Sequence, residues 1–248
     1  MKRIGVMMCA LREETRITPA IRQFDGLGID QIVVACSEKS WYGNVKGDRT
    51  PEIAVREGAA VRMFDWRREA DQKNWILSTM RDLDWVLMFA PDMYMTYEDL
   101  STAIKFLKSD VCNERAYSCD MTTYWKDYDH VTQPDRVFNT LAIRPNEEFD
   151  NVATLKNTNI FPKIEGITMH HLSWVKDDKS VLIKINTFSH ADEIVKNWYE
   201  VKWLKWKENM GDVDPTDPTC SSSVIKRPLP KELIDHLTKY KFNETYNG

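Results

Sequence analysis

The chain has 248 residues, enough for one large domain or one and a half, and its 42% hydrophobic and 29% charged residues are an ordinary globular balance. A net charge of −4 excludes an overall basic surface of the nucleic-acid-binding kind, and no apolar run approaches the ~18 residues of a membrane span. Cys9, Cys36, Cys112, Cys119 and Cys220 are odd in number and lack CxxC or zinc spacing, which predicts reduced thiols in a cytoplasmic protein.

The basic-then-apolar start, MKRIGVMMCALREE, runs into charge without a small-residue cleavage site, so it reads as a first strand, Ile4 to Ala10. A helix is predicted over Glu13 to Phe24, interrupted by Pro19, then a buried strand over Gln31 to Cys36. A polar loop from Lys39 to Asp48 precedes a helix over Thr50 to Glu57, where Thr50-Pro51 suits a cap followed by a first-turn proline. Gly58 stops it. A third strand over Ala60 to Phe64, a helix over Arg67 to Met80 and a fourth strand over Trp85 to Phe89 follow. Buried strands alternating with helices predict an α/β fold, with a mostly parallel sheet and helices on both faces.

Such sheets bind ligands at the carboxyl ends of their strands. Arg12, Ser37, Asp65 and Asp92 all fall at such ends. Asp92 is either a helix cap or part of a site, and Thr96 with Asp99 three residues on is the better cap. Beyond Asp110 the pattern is mixed, with a strand-like piece at Arg136 to Ile143 and the dense segment ITMHHLSWVKDDKSVLIKINTFSHADEI. His170 and His171 are adjacent, so in a strand they face opposite ways and at most one joins a given site. A Trp-rich helix is predicted over Glu193 to Met210, its indoles packing a core by default, and a short helix closes the chain. No GxGxxG, P-loop, GxSxG or HExxH occurs.

The order of several segments resembles the family-2-like glycosyltransferases of the GT-A fold. They are Leu11-Arg12-Glu13-Glu14, QIVVACSE, Trp41-Tyr42-Gly43-Asn44 with Asp48-Arg49-Thr50, Gly58-Ala59-Ala60-Val61, Gln72-Lys73-Asn74 and DWVLMFAPDMYMTYEDL. The HHLSWVK and KINTFSHADE segments carry the likeness toward the C-terminus, while 110–165 carries little of it. The resemblance implies a GT-A nucleotide-sugar-binding domain over 1–190 and a helical extension over 191–248. It also implies a divalent cation, Mn²⁺ or Mg²⁺, bridging the donor's two phosphates and stabilising the departing nucleotide. Of the family's acidic pair, the first position is Ala90 and only Asp92 survives. His171, or else His170, is placed to add a ligand, and a lysine or arginine in place of the metal is the alternative.

By the same resemblance, Leu11, Arg12, Glu13 and Ser37 line the nucleoside end, and Asp65, Lys73 and Asn74 approach the ribose, sugar or diphosphate. An inverting reaction needs a base for the acceptor hydroxyl, for which Asp120 and Glu165 are the candidates, with Tyr124 and Trp125 as an acceptor platform or core. The implied activity moves a sugar from a nucleotide-sugar, with a UDP-sugar favoured, to an acceptor hydroxyl. The acidic charge favours a glycan over DNA as acceptor. The alternative is a degenerate relative that binds sugar nucleotides or glycans without turnover.

Overall fold

The computed structural model describes residues 2–134, 140–151, 155–156, 161–208, 210–216 and 222–240. Four apolar runs become the parallel strands β1 (Ile4–Ala10), β2 (Gln31–Ser37), β3 (Ala60–Phe64) and β4 (Trp85–Phe89), ordered β4-β1-β2-β3. Central strands buried on both faces need apolar residues at every position rather than at alternate ones. Accordingly Ile4, Val6 and Met8 of β1 face one core, and Met7 faces the other.

The connecting helices divide between these faces. Helices α1 (Ile17–Arg22) and α2 (Thr50–Arg56) pack with the first core, through Ile17, Ala20, Ile53 and Ala54. Helix α3 (Glu69–Thr79) packs on the second through Ala70, Ile76 and Leu77. A short strand β5 (Met93–Tyr94) and helix α4 (Tyr97–Lys108) follow β4. Thr96 caps α4 by accepting from the Asp99 amide at 3.1 Å, so Asp92 is not needed as a cap.

Beyond β4 the sheet becomes mixed. Strand β8 (Thr140–Ile143) pairs antiparallel with β4 and with β6 (Ala116–Trp125), and β6 pairs antiparallel with β7 (His130–Gln133). The long β9 (Lys163–Trp174) runs parallel to β6 and antiparallel to β5, which brings His171 opposite Met93. Helix α5 (Asp178–Ile185) follows, capped by Asp177 at the Ser180 amide. Of the strand expected at Arg136 to Ile143, the first residues lie outside those described, and the remainder is β8.

The predicted helix over Glu193 to Met210 does not form. The segment holds a 3₁₀ turn at Ala191–Glu193 and a single π turn at Tyr199–Trp203, closed by Leu204 N–H donating to the Tyr199 carbonyl at 2.8 Å. Packing overrides propensity here. Asn197, in the left-handed region at φ 61°, breaks the helix before the indoles. Residues five apart stand ~140° apart on an α-helix, whereas the π turn stacks Trp198 on Trp203 at 6.2 Å between ring centres. Both join Trp125 and Trp174 in a third core. Trp125 is 1% exposed and Tyr124 is fully enclosed, so neither serves as an acceptor platform. The C-terminal part is also not purely helical: β10 (Ser223–Lys226) extends the sheet antiparallel to β7 before α6 (Lys231–Lys239).

Candidate functional site

The carboxyl ends of β4, β1, β2 and β3 lie side by side, and the loops leaving them form the candidate site. The β1–α1 turn is held in place by the next loop. Glu13 N–H donates to Thr50 Oγ1 at 2.8 Å, Glu14 N–H donates to Asp48 Oδ2 at 3.3 Å, and Asp48 Oδ1 accepts from the Thr50 amide at 3.0 Å. Arg12 sits in the left-handed region at φ 56°, a costly conformation for a residue with a β-carbon, and its guanidinium donates to the Lys46 carbonyl at 3.1 Å.

The turn carrying Asp92 is equally fixed. Tyr94 Oη donates to the Pro91 carbonyl at 2.8 Å, and Leu172 N–H to the Asp92 carbonyl at 2.7 Å. Gln23 Nε2 donates to the Met93 carbonyl at 3.1 Å. The Asp92 side chain is only 10% exposed, and its two oxygens have different neighbours: His171 Nε2 lies 3.7 Å from Oδ1, and Lys184 Nζ lies 3.6 Å from Oδ2. Lys184 also donates to the Ser173 carbonyl at 3.3 Å and to the Ser173 hydroxyl. Next to this pair Lys176 Nζ contacts Glu13 Oε1 at 3.0 Å. Arg16 donates to the Leu172 carbonyl at 3.0 Å and to the Val175 carbonyl.

Three basic side chains therefore gather around two carboxylates, and at pH 7 the cluster is net positive before His171 is counted. Burial opposes ionisation of Asp92, but the charges of His171, Lys184, Arg16 and Lys176 outweigh it and hold the carboxyl well below the usual range. Burial pulls Lys184 down to about 8, with Asp92 opposing the shift, so at pH 7 the group remains mainly an ammonium.

The structure thus brings together Asp92, His171 and, through Lys176, Glu13; Leu11, Arg12 and Ser37 stand on the adjoining strand ends. Ser37 is 4% exposed and its Oγ has no hydrogen-bond partner among the described residues, nor does the indole N–H of Trp41 in the following loop.

The other expected site residues lie apart from the cluster. Asp65 is half exposed and pairs with Lys39 at 2.9 Å. On α3, Lys73 pairs with Glu69 at 2.8 Å, and Asn74 clamps the Phe149 backbone, donating to its carbonyl at 2.9 Å and accepting from its amide at 2.7 Å. His170 faces away from Asp92, with its Nδ1 3.1 Å from Tyr124 Oη. Asp120 and Glu165 each lie 3.1 Å from Lys163 Nζ, at exposed positions. Asp120 precedes Thr123, the register partner of His171, by three residues, hence ~10 Å along β6 and on its other face.

Lys184, Lys176 and Arg16 were not singled out from the sequence. Lys176 and Lys184 belong to the HHLSWVK and KINTFSHADE segments, but no spacing rule ties them to Asp92. Only the β5–β9 pairing and the packing of α5 do so. A cleft of about 600 Å³ lies elsewhere, lined by Thr122, Thr132, Gln133, Ser223 and Arg227 among others, and does not include Asp92.

The donors at Asp92 do not fit a divalent cation. Hard divalent ions take mostly oxygen ligands at about 2.0–2.6 Å. Among the described residues no three His, Cys, Asp or Glu side chains come together to hold a metal. Asp92 and His171 supply two donors, and the ammonium of Lys184 already faces the second carboxylate oxygen.

No protein-family model matches the chain, and no curated protein matches it. Among solved structures it is similar to glucosyl-3-phosphoglycerate synthase from Mycobacterium tuberculosis in complex with Mg²⁺ and UDP, at 17% identity and a TM-score of 0.38, over 49% of this chain and 44% of that one. It is also similar to residues 1–349 of S. aureus TarS in complex with UDP-GlcNAc, at 18% identity and a TM-score of 0.37, over 49% and 35% of the two chains. The chain spans less than half the length of either. In its own topology it is a Rossmann-like α/β protein: a parallel sheet core with helices on both faces. Among the described residues no helix is long and apolar enough to cross a membrane.

Proposed function

We propose that the chain is a glycosyltransferase that takes its sugar from a nucleotide-sugar, with UDP-sugars the favoured donors and a glycan hydroxyl the favoured acceptor. The observation that carries this reading is the positively charged cluster of Lys184, Lys176, Arg16 and His171 around Asp92, at the carboxyl ends of β4 and β1. That edge is where an open α/β sheet receives ligands, and the cluster suits the anionic end of a nucleoside diphosphate. The unpartnered Ser37 hydroxyl and Trp41 indole N–H on the neighbouring loop offer polar groups to its other end.

In the transfer, the acceptor oxygen bonds to the anomeric carbon as the bond from that carbon to the diphosphate oxygen breaks. The bonding pair leaves with the nucleoside diphosphate, and the acceptor's proton passes to a base or to solvent. Cationic groups near the diphosphate favour this step because they stabilise charge that grows on the leaving group.

Sugar-nucleotide binding without turnover is the second reading. It is favoured by the pairing of both candidate bases, Asp120 and Glu165, with Lys163. Incubation with UDP-, GDP- and TDP-sugars, following nucleotide release beside calorimetric binding, tests both. Release of nucleoside diphosphate from one donor supports the enzyme, binding without release supports the second reading, and neither binding nor release refutes both.

A further inference from the structure

Resting on the reading that the site takes a nucleoside diphosphate, we infer that Lys184 stands in for the divalent cation at Asp92, so that the diphosphate binds through ammonium groups without a metal. The argument starts from where Lys184 is held. It extends from the C-terminal half of α5, whose start is fixed by the Asp177 cap. Its Nζ lies over the Trp174 ring, 5.1 Å from the ring centre, and donates to Ser173. These contacts place a positive charge 3.6 Å from Asp92 Oδ2 without recruiting anything from solution.

A divalent ion bound to that carboxylate would have to lie next to this ammonium, and like charges at such a distance repel strongly in a poorly hydrated site. Among the described residues no second carboxylate replaces the missing acidic neighbour: position 90 is alanine, and Glu13 is committed to Lys176. The side chain of Lys184 nevertheless remains 19% exposed and that of Lys176 13% exposed, so neither ammonium is sealed from an arriving anion. Asp92 then has a different task from metal ligation. Buried beside Lys184, it keeps the lysine charged and aimed, and it competes with the ligand for the same ammonium.

A metal-bridged site and a lysine site respond oppositely to two substitutions and to a chelator. UDP binding to the full chain, measured by calorimetry in excess EDTA and again with Mn²⁺, should give dissociation constants within about three-fold of each other. Lys184→Met should weaken UDP by about ten-fold or more, while Asp92→Asn, which removes the competing carboxylate together with part of the lysine's hold on its proton, should leave UDP binding in EDTA within about ten-fold of the parent chain. UDP binding that requires Mn²⁺, disappears in Asp92→Asn and survives in Lys184→Met overturns the inference while leaving the proposed function standing. Failure to bind UDP or any other nucleoside diphosphate, with or without Mn²⁺, overturns both. If Lys184→Met does not fold by thermal melting, the unsubstituted chain decides. Mn²⁺ alone, followed by water-proton relaxation, should stay free, and uptake of the ion at the site contradicts the inference.

Discussion

His170 and His171 are neighbours in sequence, yet strand alternation gives them separate environments. His171 joins the charged cluster, while His170, 8% exposed, lies against Tyr124. Burial, with a smaller contribution from Arg227, pushes His170 down to about 4. The folded protein thus prefers the neutral ring, whereas the unfolded chain takes up a proton near the ordinary value of about 6.5. The stabilisation from a neutral His170 is complete above about pH 6.5 and is lost as pH falls from there toward 4, by an amount on the order of 2–3 kcal/mol. Urea denaturation at pH 7 and pH 4.5 should show a smaller acid-induced loss in His170→Gln than in the parent chain. An equal loss in both would place the acid sensitivity elsewhere.

At the scale of elements, helix α3 and the segment around Phe149 form a unit that the sequence alone did not disclose. The Gln72-Lys73-Asn74 segment resembles a substrate-facing stretch. In the fold, Gln72 Nε2 donates to the Ala35 carbonyl at 2.6 Å, Lys73 lies over the Phe149 ring, and Asn74 holds both polar backbone groups of Phe149. Removing the Asn74 amide leaves those groups to find new partners, which costs about 1–3 kcal/mol when they stay buried. Asn74→Ala should therefore lower the urea midpoint while UDP affinity stays within about two-fold. Unchanged stability with weakened UDP binding would instead return Asn74 to the ligand.

Strands and helices differed in how readable they were. Strands β1 and β4 occupy the positions their apolar runs mark, because a strand buried on both faces has little choice of composition; β3 is an exposed edge strand that still falls on its predicted span. Helix α1 is shorter than the span its pattern allows: Glu13 and Glu14 are drawn into the turn pinned by Thr50 and Asp48. The Trp-rich segment departs furthest, since four indoles from three segments must meet in one core and a regular helix cannot deliver two of them on the same side.

For the whole molecule, the convergence of the parallel strand ends was legible, and the side chains that gather there from later in the chain were not. Asp92, Glu13 and Ser37 could be placed from the rule that ligands gather at the carboxyl ends of parallel strands. Lys184 lies 92 positions beyond Asp92 in the chain, and only β9 crossing to β5, with α5 folding back, brings the two together. Two concave or charged regions now compete as the ligand site: the Asp92 cluster and the cleft bordered by Thr122, Ser223 and Arg227. Titration of the isotope-labelled chain with UDP, followed by backbone amide NMR shifts, separates them directly. The Asp92 account predicts perturbations concentrated at 11–16, 37–41, 92–93, 171–176 and 184. Shifts confined to 121–134 and 223–227 would contradict it.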